Sequence, residues 1–198
     1  MSEHYYSQKP STAHDQHTIE EIMIGRKFAF TTDAGVFSKR GIDYGSKLLI
    51  ETVRLPEEAK VLDVGCGYGP IGLAAAVIAG KGTVTMVDIN ERAIELAKLN
   101  AKRNQIANVE IVQSDLLEQV AGRTFDAVLT NPPIRAGKDT VHRIFEQAYE
   151  ALAPGGSLWV VIQKKQGAPS AVKKLESLFA EVAEVERDKG YWILKATK

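Results

Sequence analysis

The sequence predicts an α/β fold: a doubly wound, mostly parallel sheet of seven strands with one antiparallel terminal strand, preceded by a small N-terminal hairpin and a helix. Three observations carry that prediction. From Ala59 onward, short apolar runs alternate with segments of helical period, the pattern of a parallel sheet covered on both faces. A glycine-rich turn, Gly65-Cys66-Gly67-Tyr68-Gly69, follows the first of those runs, at the edge where open parallel sheets bind ligands. The last two runs are separated only by Arg187-Asp188-Lys189-Gly190, too short for a parallel crossover, so one of them runs antiparallel.

Taken in order, residues 1–18 are polar, flecked with Tyr5, Tyr6 and Pro10, and read as a flexible arm. Residues 19–198 read as one domain, with 19–58 an extension that contributes to the site and 59–198 the ligand-binding core. Ile19 to Ile24 and Lys27 to Thr31, parted by Gly25-Arg26, suggest the hairpin. Asp33 to Asp43 is a glycine-punctuated loop, and Ser46 is a candidate cap for a helix through Leu48, Leu49, Ile50 and Val53 that stops before Pro56. Val61 to Val64 is then a strand, Ile71 to Ala79 a small-residue helix and Val84 to Val87 a strand. Glu91 to Arg103 is an amphipathic helix with Ala93, Ile94, Ala97 and Leu99 on its apolar side. Val109 to Val112, Phe125 to Leu129 and Leu158 to Ile162 are further strands with helices between, and Glu181 to Glu186 and Tyr191 to Lys195 close the sheet.

Composition narrows the function classes. With 198 residues, 44% of them apolar, the chain buries a core without disulfides or metal. Twenty-five basic residues balance 25 acidic ones, so contact with nucleic acid has to come from a local patch rather than a global field. The single cysteine, Cys66, the lack of a membrane-length apolar run and the lack of a charged-then-apolar leader make cytoplasm the expected location. His4, His14 and His17 have no cysteine beside them, and no metal is assigned.

The chemistry lies at the strand ends. Gly65 and Gly67 are followed by Gly69 and then Pro70, not by the spacing of a dinucleotide loop. A proline at the helix start removes an N–H that a pyrophosphate would use, which favours a ligand without phosphates. Asp63, before the glycines, suits a cationic amino group or ordering of the loop. Asp88, roughly 20 residues on, suits the two hydroxyls of a ribose. Asp115, past the third strand, suits an adenine amino group, with Ile89 and Leu116 on the two faces of the purine. Each aspartate alone also suits helix capping; three at successive strand ends make one cofactor site.

After the fourth strand stands Asn131-Pro132-Pro133-Ile134. Alone it is a turn sequence. Beside a cofactor site it has another use: an exocyclic amine is a poor nucleophile with a delocalised lone pair, and an Asn oxygen together with a carbonyl next to proline can grip its two N–H bonds with acceptors only. The glycine loop, ribose acid, adenine acid and tetrad together resemble a class I S-adenosylmethionine-dependent methyltransferase of Rossmann-like fold, from about Ala59 to the C-terminus. Phe37-Ser38-Lys39-Arg40-Gly41-Ile42-Asp43-Tyr44-Gly45-Ser46, taken with Asn131-Pro132-Pro133-Ile134-Arg135-Ala136-Gly137, resembles the RsmC-like group, which methylates the N2 amine of guanine in small-subunit ribosomal RNA. The duplicated N-terminal half of the enzyme that names the group has no counterpart here, so the chain is similar to the group's short, single-domain members. The resemblance implies S-adenosyl-L-methionine as cofactor, held by Asp63, Gly65, Gly67, Gly69, Asp88, Ile89, Asp115, Leu116 and Asn131. It also implies methyl transfer at Asn131, Pro132, Pro133 and Ile134, and RNA as partner.

Many amine methyltransferases carry an aromatic residue at the tetrad's fourth position, where the ring stacks on the target base. Ile134 gives up part of that stacking, about 1–3 kcal/mol per base, and Phe37 or Tyr44 is the candidate ring. Cys66 reads as a packing residue. Lys39, Arg40, Arg135, Lys138, Lys164 and Lys165 are expected on loops at the carboxyl edge, as a basic rim for phosphates, with Glu57, Glu58, Glu181 and Glu184 at the other edge. Adenine N6 and a glutamine amide are alternative targets, since the tetrad serves any planar NH2. A non-catalytic cofactor-binding assembly module and a dehydrogenase are the alternatives from other classes.

Overall fold

The computed structural model describes Gln8 and residues 12–198; Tyr5, Tyr6, Pro10 and His4 lie outside the described residues. A two-stranded hairpin comes first, β1 (His17–Met23) paired antiparallel with β2 (Arg26–Thr32). Its turn is Ile24-Gly25, both with positive φ, a two-residue turn one position earlier than the sequence suggests. The expected arm is also shorter: β1 begins at His17, and Asp33, fully buried, accepts from His14 Nδ1 at 2.5 Å and from the Asp15 amide at 2.6 Å. Burial raises the Asp33 pKa, and those hydrogen bonds outweigh it, so the carboxyl sits below its ordinary value.

Helix α1 (Tyr44–Thr52) starts earlier than expected, because its cap is Asp43 and not Ser46. The Asp43 carboxylate accepts the Gly45 and Ser46 amides at 3.0 Å each. The core follows: β3 (Lys60–Val64), α2 (Pro70–Ile78), β4 (Thr83–Asp88), α3 (Glu91–Arg103), β5 (Val109–Gln113), β6 (Phe125–Thr130), α4 (Lys138–Ala151), β7 (Leu152–Gln163), α5 (Ala168–Glu176), β8 (Glu181–Asp188) and β9 (Tyr191–Thr197). Between β5 and β6 there is no α-helix, only a 3-10 turn at Glu118–Val120. Seven strands form one sheet in the order β5-β4-β3-β6-β7-β9-β8. Only β9 opposes the rest, pairing antiparallel with both β7 and β8 and joined to β8 by the two-residue turn Lys189-Gly190. The order reverses at β3, so the crevice between the ends of β3 and β6 is the switch point where such sheets bind ligands.

Alternation along the strands builds two cores. Val61, Met86, Leu129 and Val161 face α1, α2, α3 and the hairpin, while Leu62, Val87, Val128 and Val160 face α4 and α5. Along α3, Ala93, Ile94, Leu96, Ala97 and Ala101 are buried, whereas Leu99, expected on the apolar side, falls off that stripe and is 43% exposed. The stripe also carries Asn100 and Asn104. Asn104 accepts from the Ala29 amide and donates to its carbonyl, and Asn100 does the same for Thr31. Four helical residues advance about 6 Å and two strand residues about 7 Å, so asparagines four apart along α3 can satisfy alternate residues of β2. The hairpin is thereby fastened to the core. Asn100 also donates to the Tyr68 carbonyl in the glycine turn, which ties the hairpin's helix contact to the ligand-binding loop.

Candidate active site

A cavity of ≈ 350 Å³ opens over the carboxyl ends of β3, β4 and β6. The glycine turn forms one wall. Gly65, Gly67 and Gly69 have φ of 74°, 56° and 108°, a backbone that L side chains rarely adopt, and it brings the main chain of Gly65 to Gly67 to the cavity surface. Gly69 caps α2 behind that surface, and Pro70 is the helix's first residue.

The three acids take distinct positions. Asp88 lines the cavity; its Oδ2 accepts the Gly67 amide at 2.8 Å and its Oδ1 the Asn90 amide at 2.9 Å. Burial raises its pKa, and each oxygen keeps a lone pair for a ligand hydroxyl. Asp115 is exposed at the opposite rim, with Leu116 beside it in a left-handed conformation, φ 48°. Ile89 and Leu116 both line the cavity, as the sequence suggests. Asp63 is different: it is 0% exposed on the α2 side of β3, beneath the turn and not on the cavity surface, and neither oxygen has a hydrogen-bond partner among the described residues. Burial pushes its pKa up to about 8; the Gly72 amide faces the carboxyl and offsets part of that rise without reaching hydrogen-bond geometry, while the Asp88 charge adds to it. Cys66 is buried and its thiol pushed well up by burial, so it is an inert packing group.

These residues fit S-adenosylmethionine. A lone-pair-bearing acid at the second strand end and an exposed acid at the third suit a ribose and an adenine amine, while Asp63, off the cavity surface, suits ordering of the glycine turn and not contact with an ammonium. Among the described residues that line the cavity, the glycine turn carries no lysine or arginine for a phosphate.

Asn131, Pro132 and Pro133 line the cavity across from the turn. The Asn131 amide nitrogen donates to Asp43 Oδ2 at 2.7 Å and to Ser46 Oγ at 3.0 Å. The Pro133 carbonyl accepts the Ala136 amide, and the Pro132 carbonyl has no hydrogen bond among the described residues. Ile134 does not reach the cavity. It opens the 3-10 turn Ile134–Ala136 and packs on the α4 and α5 core, because an aliphatic side chain gains more there than at a wet mouth. Of the candidate rings, Phe37 lines the cavity and is 40% exposed. Tyr44 does not line it: its ring packs on Tyr191, its hydroxyl bonds Asp188, and Lys189 Nζ lies 4.2 Å from its centroid.

The expected cations lie around the mouth and not in the cavity lining. Arg40, Arg135, Lys138, Lys164 and Lys165 are exposed on loops or helix starts at the carboxyl edge. Lys39 is drawn into an ion pair with Asp15 at 3.2 Å. The Lys164 amide bonds the Gly190 carbonyl, which brings Lys189 to the same edge. At the opposite edge Glu57 pairs with Lys81, and on β8 Glu184 pairs with Arg187, so the back is less negative than composition implies. No group of three or more His, Cys, Asp or Glu among the described residues could hold a metal ion, and no helix there is long and apolar enough to cross a membrane.

Sequence reasoning left Asp43, Ser46, Tyr191, Thr140 and Arg143 without a role in the site. Thr140 and Arg143 line the cavity three residues apart on α4, a helical spacing that the sequence displays. Asp43 and Ser46 stand inside the loop segment already singled out, but their partner is 88 and 85 positions away.

The methyltransferase small domain model matches residues 27–195. YbxB of Bacillus subtilis (strain 168) is 56% identical over 200 residues, which is 100% of both chains. Ribosomal RNA small subunit methyltransferase C of Pasteurella multocida is 38% identical over 131 residues, 64% of this chain and 39% of that protein. Ribosomal RNA large subunit methyltransferase G of Aeromonas hydrophila is 28% identical, covering 97% of this chain and 51% of that one. Among solved structures, the T. thermophilus 16S rRNA N2 G1207 methyltransferase (RsmC), in complex with AdoMet and guanosine, superposes with a TM-score of 0.84 at 26% identity, over 96% of this chain and 52% of that chain. The chain thus spans about half or less of these ribosomal RNA methyltransferases. With the glycine turn, Asp88, Asp115 and Asn131-Pro132-Pro133 around one cavity, the chain belongs to the methyltransferase small domain family, and its cofactor is S-adenosylmethionine.

Proposed function

We propose that this methyltransferase acts on an exocyclic amine, the N2 amine of a guanine in ribosomal RNA. The observation that carries the reading is the orientation of Asn131. Its NH2 is held by Asp43 and Ser46, which leaves Oδ1 for the cavity, beside a Pro132 carbonyl with no hydrogen-bond partner among the described residues. Two acceptors suit an NH2 group and nothing that lacks two N–H bonds. The bound cofactor supplies an electrophilic methyl on a sulfonium. The chain's part is to hold the amine with Asn131 Oδ1 and the Pro132 carbonyl, drawing its lone pair out of conjugation and fixing its line of approach. No strong base is needed, since the nitrogen becomes acidic only as it is alkylated and sheds its proton afterwards.

Guanine is preferred to adenine or an amide because the T. thermophilus RsmC structure, which superposes over 96% of this chain, is that of a 16S rRNA N2 G1207 methyltransferase and carries guanosine. Ribosomal RNA is preferred to protein because the mouth is rimmed by Arg40, Arg135, Lys138, Lys164 and Lys165. Small-subunit RNA is the first substrate to test, although relatives named for the large subunit match too. Phe37, the exposed ring at the cavity, stacks on the base in place of Ile134.

The test is transfer of isotope-labelled methyl from S-adenosylmethionine to ribosomal RNA of cells lacking the gene, followed by nucleoside mass spectrometry. Label in N2-methylguanosine of one subunit is the expected result; label in N6-methyladenosine, or in a protein glutamine of intact subunits, would replace the reading.

A further inference from the structure

We infer that Asp43 and Ser46 are positioning residues that set the polarity of the Asn131 grip, so that the side-chain amide can present only its oxygen to a substrate. The inference rests on reading Asn131 as an amine acceptor. An asparagine amide has nearly the same shape in either orientation, and its two ends have opposite hydrogen-bonding character. Turned the other way, Asn131 would offer the cavity a donor, and a donor cannot hold an NH2 that must be approached through its N–H bonds.

The choice is made on the far side of the side chain. An ionised Asp43 can only accept, and its Oδ2 lies 2.7 Å from Asn131 Nδ2. Ser46 Oγ gives its one proton to the same Oδ2, at 2.7 Å, and so can only accept from Asn131, at 3.0 Å. Two acceptors demand the NH2. A flip would set Asn131 Oδ1 against a carboxylate and a committed hydroxyl, losing two hydrogen bonds where burial makes them expensive to lose.

Asp43 is itself fixed. The Gly45 and Ser46 amides at the start of α1 each donate to it at 3.0 Å, and the Tyr191 hydroxyl lies 3.4 Å from its Oδ1. A helix N-terminus favours the negative charge there. The cap of α1 and the orientation of the tetrad are thus the same carboxylate, which makes α1, outside the cofactor-binding strands, part of the transfer site.

The test uses Asp43→Ser in the full chain. Serine caps a helix about as well as aspartate, so α1 is kept, but its side chain is too short to hold the cap and reach Asn131 as well. Methyl transfer to ribosomal RNA from cells lacking the gene should fall on the order of tenfold, with S-adenosylmethionine affinity by calorimetry unchanged. In an Asn131→Ala background the same substitution should cost nothing further, because a residue acting through Asn131 has nothing left to act on. Independently of activity, the Asn131 side-chain NH2 protons should be protected from exchange with water in the wild-type protein and lose that protection in Asp43→Ser. Ser46→Ala, which leaves the Asp43 cap intact, should give a smaller loss of the same kind. Equal losses in both backgrounds, or protection that survives both substitutions, would overturn the inference. Wild-type protein that shows the protected NH2 but methylates no amine would instead overturn the substrate reading and leave the latch standing.

Discussion

Gly45 stands where the Tyr191 ring needs the room: a β-carbon at Gly45 would lie 2.7 Å from Tyr191 Cε1 and 3.1 Å from Val161 Cγ2. Gly45 is buried in the first turn of α1, so volume rather than backbone freedom excludes a side chain. Gly45→Ala sets two effects against each other. Alanine gains about 1 kcal/mol of helix propensity over glycine, while overpacking costs about 1–3 kcal/mol. The ring is also braced by Tyr44 and by the Asp43 contact, so the steric cost should win. Urea denaturation of Gly45→Ala should give a lower midpoint than wild type; a higher one would mean that the ring moves aside freely.

Asp63 should make the ligand-free protein less stable as pH rises. Its folded pKa is about 8 and its ordinary value 3.8. Between those limits the folded state keeps a proton that the unfolded state has lost, so the stabilisation is complete below about pH 4 and is lost progressively up to about pH 8. Asp88, raised by burial too, acts in the same direction. The full span for Asp63 is on the order of 5 kcal/mol. Asp63→Asn removes the titrating group at nearly constant shape. Unfolding free energies at pH 5, 6.5 and 8 should fall for wild type relative to Asp63→Asn, and two parallel profiles would sink the prediction.

Much of this site was legible because its residues stand at strand ends, where chain order and topology coincide. Gly65, Asp88, Asp115 and Asn131 each end or follow a strand of the parallel sheet, so finding the strands places them at one edge. What stayed hidden depends on pairings that local periodicity does not encode. Asn100 and Asn104 look like polar interruptions of an apolar stripe until β2 lies against them. Asp43 looks like loop, and Ser46 like the better cap, until Asn131 arrives from β6. The hairpin turn at Lys189-Gly190 implies an antiparallel strand, but not that β9 inserts between β7 and β8 and brings Lys189 and Tyr191 to the site edge. Ile134 occupies the tetrad's usual stacking position, yet its choice between cavity and core is set by α4 and α5 packing.

Asn131→Ala separates grip from cofactor binding. The side chain lines the cavity opposite the glycine turn, and its anchors are on α1 rather than on the cofactor strands. Turnover should fall on the order of a hundredfold, as for loss of other positioned hydrogen-bonding groups, while the melting-point rise produced by S-adenosylmethionine stays as in wild type. Equal losses of turnover and of cofactor affinity would move Asn131 from the acceptor role to a cofactor contact.

The basic rim makes a prediction in salt dependence as well as affinity. Lys164 and Lys165 form an exposed 3-10 turn at the end of β7, tied through the Lys164 amide to the Gly190 carbonyl, so both stay beside the site mouth with Lys189. Neither has an ion-pair partner among the described residues, unlike Lys39 with Asp15 or Lys81 with Glu57. A free lysine that neutralises a phosphate releases counterions, and each contact contributes about 0.7 to 0.9 to the slope of log affinity against log salt. Reversing both charges to glutamate should therefore weaken ribosomal RNA binding and flatten that slope by about 1.4 to 1.8. Lys81→Glu, at the opposite edge, should leave the slope unchanged. If Lys164 and Lys165 can be reversed with the same slope and affinity as wild type, the RNA path runs elsewhere, across Arg40, Arg135 and Lys138 on the other side of the mouth.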